Sequence, residues 1–116
     1  MLLRDRKHLW DILEAASFIQ EITCEKDRQE YLENKTLRSA VERQFEIIGE
    51  ALNRLRKDEA SAITRLTGSR QIIQFRNLLS HGYDYINNNR VWDIVEQDLP
   101  VLLWEVKRLL EEEPDQ

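Results

Sequence analysis

The sequence TLRSAVERQFEIIGEALNRLRK occupies residues 36–57 and contains the most regular hydrophobic pattern of the chain. Apolar side chains recur in it every three or four positions, which is the period of an α-helix with one buried face. The positions predicted to face inward are Leu37, Val41, Phe45, Ile48, Leu52 and Leu55. Thr36 is the expected N-cap, because its hydroxyl can accept a hydrogen bond from the first turn. A helix of this length needs helical neighbours against its apolar stripe, so the segment predicts a helical bundle.

Helical periodicity continues on both sides of this segment. Residues 4–23 form a predicted first helix, and residues 27–33 form a short helical turn. Residues 58–67 are less regular, so we expect a loop that contains one turn. Short connections therefore join the long periodic segments at 4–23 and 36–57 to their neighbours, as in a helical bundle.

Two further helical regions follow. A third long helix is predicted to begin at Ser69, its expected cap, and to end at Gly82, because glycine readily adopts the left-handed conformation found just past a helix end. Residues 90–111 form the last helical region, with a break or bend near Pro100 and with Asp98 as the cap of its second half. The sequence thus predicts an all-α, up-and-down bundle of four to five helices.

Composition supports a single helical domain over residues 1–116. Only three glycines and two prolines interrupt the chain, which favours long helices over a sheet. The apolar fraction of 41% is enough for one thin core, and chains of this size often gain stability by forming oligomers. The single cysteine, Cys24, excludes an internal disulfide and a zinc cluster built from cysteines.

The N-terminal residues become charged too early for a signal peptide, and no apolar run approaches the length that spans a membrane. We therefore expect a soluble, cytoplasmic protein that does not bind membranes. The net charge of −5 argues against a general nucleic-acid binder. However, residues 54–90 contain seven basic and three acidic side chains, so the middle of the chain is locally positive and can hold a few phosphates.

Residues 76–83 have the sequence RNLLSHGY and are the best candidates for chemistry. Asn77 and His81 are four positions apart on one helix face, so the amide can orient the imidazole. Arg76 lies about 140° from His81 around the helix, a gap that its long side chain can span. A guanidinium binds phosphate oxygens bidentately, and an imidazole can move a proton to or from a ribose oxygen. The pattern favours phosphodiester cleavage by Arg76 and His81, with Asn77 and Ser80 in support.

One histidine cannot readily act as both the acid and the base of such a cleavage. Two copies that meet across a twofold axis would supply two histidines and two arginines, so we expect a homodimer. The same residues also have a purely structural interpretation. An arginine and a histidine at a helix end can simply interact with the helix dipole, and spacing alone does not separate the two possibilities.

The segment at 76–83 resembles the R-x4-H-x-Y signature of HEPN-domain toxins of the HepT type. The resemblance extends to three more segments in the same order along the chain. They are LWDILEA at 9–15, AVERQFEIIGEA at 40–51 and VWDIVEQDLP at 91–100. Residues 61–70 depart from the family because they lack its common Pro-Trp pair, which leaves the substrate contacts of that loop open.

The resemblance implies an endoribonuclease that needs no metal or other cofactor and that acts as a homodimer with the motifs at the interface. Its substrate would be an RNA such as tRNA or mRNA. The resemblance also implies an antitoxin partner, a minimal nucleotidyltransferase of the MntA type. That partner would inactivate the toxin by transferring AMP to the motif tyrosine, here Tyr83.

Several other residues permit more than one interpretation. Gly49 lies inside a helix and is best explained by close helix packing. Glu50 is either a partner of Arg76 or a solvated carboxylate. His8 is expected to be a surface histidine, and Cys24 a small helix-packing residue. The expected core or dimer anchors are Trp10, Trp92 and Trp104.

Two other functions remain open. The chain could be a non-catalytic helical module that binds a nucleotidyltransferase and presents its substrate. It could also be a purely structural dimerisation domain. Intact Arg76, His81 and Tyr83 favour the ribonuclease, because a scaffold needs none of them.

Overall fold

The protein is described here by a computed structural model that covers residues 1–80 and 86–112, with the side chains of residues 78–80 left out. Within these ranges the chain is helical and contains no strand, so the predicted all-α fold is confirmed. A 3-10 turn at Ser61–Arg65 and a π-helical segment at Ile94–Asp98 accompany the α-helices. The α-helices are α1 Leu3–Thr23, α2 Arg28–Glu33, α3 Lys35–Lys57, α4 Ser69–Ser80, α5 Asn88–Asp93 and α6 Leu99–Glu112.

Helix α3 lies at the centre of the bundle, between α1 and α4, and α6 packs against α1. All six positions of α3 that were predicted to face inward are buried. Phe45 of α3 meets Phe75 of α4 edge to face, with ring centroids 5.6 Å apart. Edge-to-face aromatic pairs stabilise a core beyond the area they bury, so this contact fixes α4 against α3.

The junction between α2 and α3 corrects the predicted N-cap. Thr36 lies inside the first turn of α3, and the cap is Asn34, whose side chain accepts a hydrogen bond from the Leu37 amide at 3.0 Å. The Asn34 amide also donates to the Tyr31 carbonyl at the end of α2. Because one asparagine serves both helix ends, α3 begins earlier than its hydrophobic pattern suggests.

The start of α4 also differs from the prediction. Ser69 is the first residue of the helix rather than its cap, since the Gly68 carbonyl accepts the amide of Ile72 at 3.4 Å. Gly68 has a φ of 75°, in the left-handed region that favours glycine. The predicted stop at Gly82 lies outside the described residues.

The break or bend predicted at residues 98–100 corresponds to a distortion of the helix that ends at Asp98. The chain stays helical from α5 into α6, and the irregularity is the π-helical segment before the proline. There the Leu99 amide donates to the Ile94 carbonyl, five residues earlier. A proline inside a regular α-helix clashes with the carbonyl four residues before it. The wider π turn relieves that crowding. Asp98 is the last residue of the π-helical segment, and its side chain accepts no hydrogen bond from the residues that the structure describes, so its predicted role as a cap is wrong.

The tryptophans and the cysteine differ from one another in their surroundings. Trp92 is buried and packs on Tyr31 at 5.2 Å, whereas Trp10 and Trp104 are more than half exposed. The core interpretation therefore holds for Trp92 alone. Cys24 is exposed at the end of α1, so its predicted packing role is wrong. None of the described helices combines the length and the hydropathy that a bilayer-spanning helix requires.

Candidate active site

Helices α3 and α4 cross at Gly49 and Arg76. A Cβ atom added at position 49 would lie 2.2 Å from the Cβ of Arg76 and 3.3 Å from the backbone oxygen of Ile72. The first distance is far below van der Waals contact, so only glycine permits this approach of the two helices. The predicted close packing is confirmed. It places the base of the Arg76 side chain directly against α3.

Two hydrogen bonds hold the Arg76 guanidinium. Its Nη2 donates to Oε2 of Glu50 at 2.5 Å, and its Nη1 donates to Oδ1 of Asn77 at 2.9 Å. Glu50 also accepts from Nε of Arg54 at 3.2 Å, so one carboxylate bridges two arginines. Of the two alternatives for Glu50, the structure shows the partner of Arg76. The guanidinium is therefore oriented before any ligand arrives.

The contact of Asn77 adds a role that the sequence did not predict. Asn77 was expected to orient the His81 imidazole, and in the structure its side-chain oxygen accepts from Arg76. Ser80 is the last residue of α4 that the structure describes, and its side chain is not described. His81 and Tyr83 lie outside the described residues. The structure thus brings together Arg76, Asn77 and Glu50, and the pairing of Arg76 with His81 stays a prediction.

A groove of about 450 Å³ opens beside this crossing, between α1 and α3. Besides Ile47 and Ala51 it is lined by charged or titratable side chains. These are Lys7, His8, Asp11, Arg43, Glu46, Glu50, Arg54 and Arg76. The groove thus extends from the Arg76 guanidinium along two helices, and its lining contains more cations than carboxylates.

Sequence reasoning missed this groove. It sought positive charge in residues 54–90, whereas Lys7, His8 and Arg43 come from the acidic first half of the chain. His8 is half-buried and lines the same groove as Arg76. One signal was available, because His8 directly precedes the buried Leu9 on α1 and so borders the packed face.

Comparisons with known proteins agree with the all-α fold. The family model described as Ribonuclease HepT-like matches residues 12–109, which include α3, α4 and Arg76. The chain therefore belongs to the HepT-like ribonuclease family.

Individual relatives support the same assignment. A Methanocaldococcus jannaschii protein provisionally named an RNase is 37% identical over 108 residues, which cover 92% of this chain and 98% of that protein. A Thermococcus cleftensis protein provisionally named ribonuclease HepT is 31% identical over 104 residues, or 90% of this chain and 94% of that protein. No solved structure matches the chain significantly.

Proposed function

We propose that this protein is an endoribonuclease toxin that cleaves RNA with Arg76 and His81 and that acts as a homodimer. The observation that supports this best is the state of Arg76, held by Glu50 and Asn77 at the rim of an open groove. A guanidinium fixed in this way can bind a phosphate oxygen without first losing conformational freedom. Membership of the HepT-like ribonuclease family and the sequence HGY at residues 81–83 support the same function.

The proposed reaction needs no metal ion. One His81 removes the proton from a ribose 2′-hydroxyl, and the 2′-oxygen attacks the adjacent phosphorus. The bond from phosphorus to the 5′-oxygen breaks, and the second His81 of the dimer gives that oxygen a proton. The products are a 2′,3′-cyclic phosphate and a 5′-hydroxyl end. Arg76 stabilises the negative charge that grows on the phosphate oxygens during the attack.

The central test is cleavage of a labelled single-stranded RNA in EDTA by the wild type and by His81→Ala. We expect the wild type to cut and the variant to be inactive, with the same helical content by circular dichroism. Equal cleavage by both proteins would place the active site elsewhere. Light scattering on the same samples measures the mass. A fully active monomer would refute an active site that uses one His81 from each copy of the dimer.

Regulation by a nucleotidyltransferase antitoxin of the MntA type is the second part of the proposal. The phenol oxygen of Tyr83 would attack the α-phosphorus of a nucleoside triphosphate, its proton would pass to solvent, and pyrophosphate would leave. The resulting phosphodiester would bring negative charge to Arg76 and fill the place of the RNA. We expect an AMP-sized mass increase on co-expression with the antitoxin, and none in Tyr83→Phe. An unchanged increase in that variant, or one that maps to Tyr85, would refute the assignment.

A further inference from the structure

The groove between α1 and α3 contains cations that the cleavage chemistry does not use. These cations are Lys7 on the α1 wall, beside the His8 ring, and Arg43 and Arg54 on the α3 wall. Arg43 and Arg54 are eleven residues apart on one helix, which corresponds to about 16 Å at the α-helical rise. The positive charge therefore extends well beyond the single phosphate that Arg76 can bind.

The ion pairs of these cations are exposed and weak. Lys7 contacts Asp11 at 2.8 Å and Arg43 contacts Glu46 at 3.8 Å, and both cations are about 70% exposed. Such pairs contribute little to stability, because water and salt screen them. A cation that leaves its carboxylate for a phosphate therefore loses little. Four permanent cations face three carboxylates in the groove, so a positive charge remains even when every carboxylate is paired.

We propose that single-stranded RNA lies along this groove, with Lys7 and Arg43 binding backbone phosphates next to the one held by Arg76. This inference rests on the proposed ribonuclease function and extends its site. A volume of about 450 Å³ is that of a small-ligand site, and such a groove suits the nucleotides of an unpaired strand. His8 makes no hydrogen bond to the described residues, and its half-buried ring is free to stack on a base.

The variants for the test are Lys7→Gln, Arg43→Gln and the double variant. These substitutions remove charge at exposed positions and leave both partners of Arg76 in place. Arg54 is unsuitable, since it shares Glu50 with Arg76. Lys107→Gln is the matched control, because Lys107 is an exposed lysine of α6 that does not line the groove.

Cleavage of a long single-stranded RNA is compared with cleavage of a dinucleotide, which contains only the scissile phosphate. For the long RNA we expect KM to rise about tenfold with each single variant, as for the loss of one charged hydrogen bond. The turnover number kcat and the dinucleotide reaction should not change, and Lys107→Gln should match the wild type. Wild-type KM values in the double variant would overturn the proposal. An equal loss of cleavage activity on the dinucleotide would also overturn it. A changed mass by light scattering would do the same, because the groove would then form contacts between two copies of the chain.

Binding is measured separately, so that a failure of the ribonuclease proposal can be distinguished from a failure of this one. The probe is a fluorescein-labelled oligouridylate, followed by anisotropy on the His81→Ala protein at several salt concentrations. Each removed cation should lower the slope of log affinity against log salt by about 0.7. An unchanged slope would show that Lys7 and Arg43 do not bind RNA phosphates, even if the enzyme cuts RNA. A lowered slope in a protein that cuts nothing would support the groove and refute only the proposed catalysis.

Discussion

Two carboxylates of helix α3 pair with arginines in different settings, Glu50 with Arg76 of α4 and Glu46 with Arg43 of α3 itself. The difference separates an arginine that is held in place from one that is free to move. Arg76 is 26% exposed, packed against Gly49 and bonded at both ends of its guanidinium. Arg43 is 68% exposed and has one loose contact, to Glu46. The same chemical pair therefore orients a side chain where packing surrounds it, and leaves a side chain available where water surrounds it.

The largest expected effect comes from removing the fixed arginine. Arg76→Ala should lower the rate of RNA cleavage by about a hundredfold or more, because the developing phosphate charge loses its main stabilising group. The free energy of unfolding should fall by no more than about 1 kcal/mol, since the side chain is partly exposed and its ion pair with Glu50 is screened by water. Arg108→Ala is the control, because Arg108 lies 5.1 Å from the ring of Trp104, outside the groove. A cleavage rate in Arg76→Ala equal to that of the control would show that Arg76 is not catalytic.

Packing at the helix crossing is tested by Gly49→Ala. The added methyl group must displace Arg76, since it would lie 2.2 Å from the Cβ of that residue. We expect a loss of about 2 kcal/mol in the free energy of unfolding, typical of overpacking, together with a clear loss of cleavage by the folded protein. The matched control is Gly68→Ala, where no atom lies within 4 Å and only the positive φ opposes the change. Urea titration gives the conditions under which each variant is fully folded, and activity is measured there. If Gly49→Ala is then as active as Gly68→Ala and the wild type, the crossing does not position Arg76.

The orienting bond itself is tested by Glu50→Gln. Neutral glutamine accepts a weaker hydrogen bond than a carboxylate, so the guanidinium should be less well oriented. We expect kcat to fall about tenfold while KM for a dinucleotide changes little, which is typical of a weakened supporting contact. Glu46→Gln serves as the control, because Glu46 lines the same groove and pairs with Arg43 instead. A purely structural role for Glu50 would lower stability and leave the kcat of the folded protein unchanged.

Local patterns predicted the parts of the molecule that depend on local sequence. The inward face of α3 follows from hydrophobic period alone, and all its positions are buried as predicted. The cap at Thr36 was wrong, because Asn34 caps the helix instead, and the irregularity predicted near Pro100 takes the form of a π-helical segment. Cap chemistry and helix distortions depend on neighbours that a periodic pattern does not include.

The candidate site also divides into residues that local sequence indicates and residues that only the packing of helices reveals. Arg76 and Asn77 were proposed from one short segment that resembles the R-x4-H-x-Y signature, and the structure places their side chains in contact. Glu50 was identified only as one of two alternatives, because its contact with Arg76 joins residues 26 positions apart. The place of His8 in the groove could not be predicted, since it depends on how α1 packs against α3. Contacts between helices decide which charges meet, and one sequence alone does not determine them.

The smallest expected effect concerns Glu42, a second carboxylate of α3 that lacks the arginine bonds of Glu50. Glu42 accepts no hydrogen bond from the described residues. Burial raises the pKa of its carboxyl above the ordinary value. The charge of Arg38 opposes this rise and the charge of Glu46 adds to it. A raised pKa in the folded state means that the folded protein binds the proton more tightly than the unfolded chain. Ionised Glu42 therefore destabilises the fold at neutral pH. That cost disappears as the pH falls below the ordinary carboxyl pKa, where both states are protonated.

Glu42→Gln replaces this group with a neutral side chain of the same shape. We expect it to raise the free energy of unfolding by no more than about 0.5 kcal/mol at neutral pH, because the half-exposed carboxylate is screened. The gain should shrink toward zero at pH 3, since the wild-type carboxyl is then neutral as well. Urea denaturation of both proteins at neutral and acidic pH measures the difference. Glu50→Gln offers the contrast, because losing a bonded carboxylate should lower stability at neutral pH. A gain for Glu42→Gln that persists at acidic pH would show that burial of charge is not its cause.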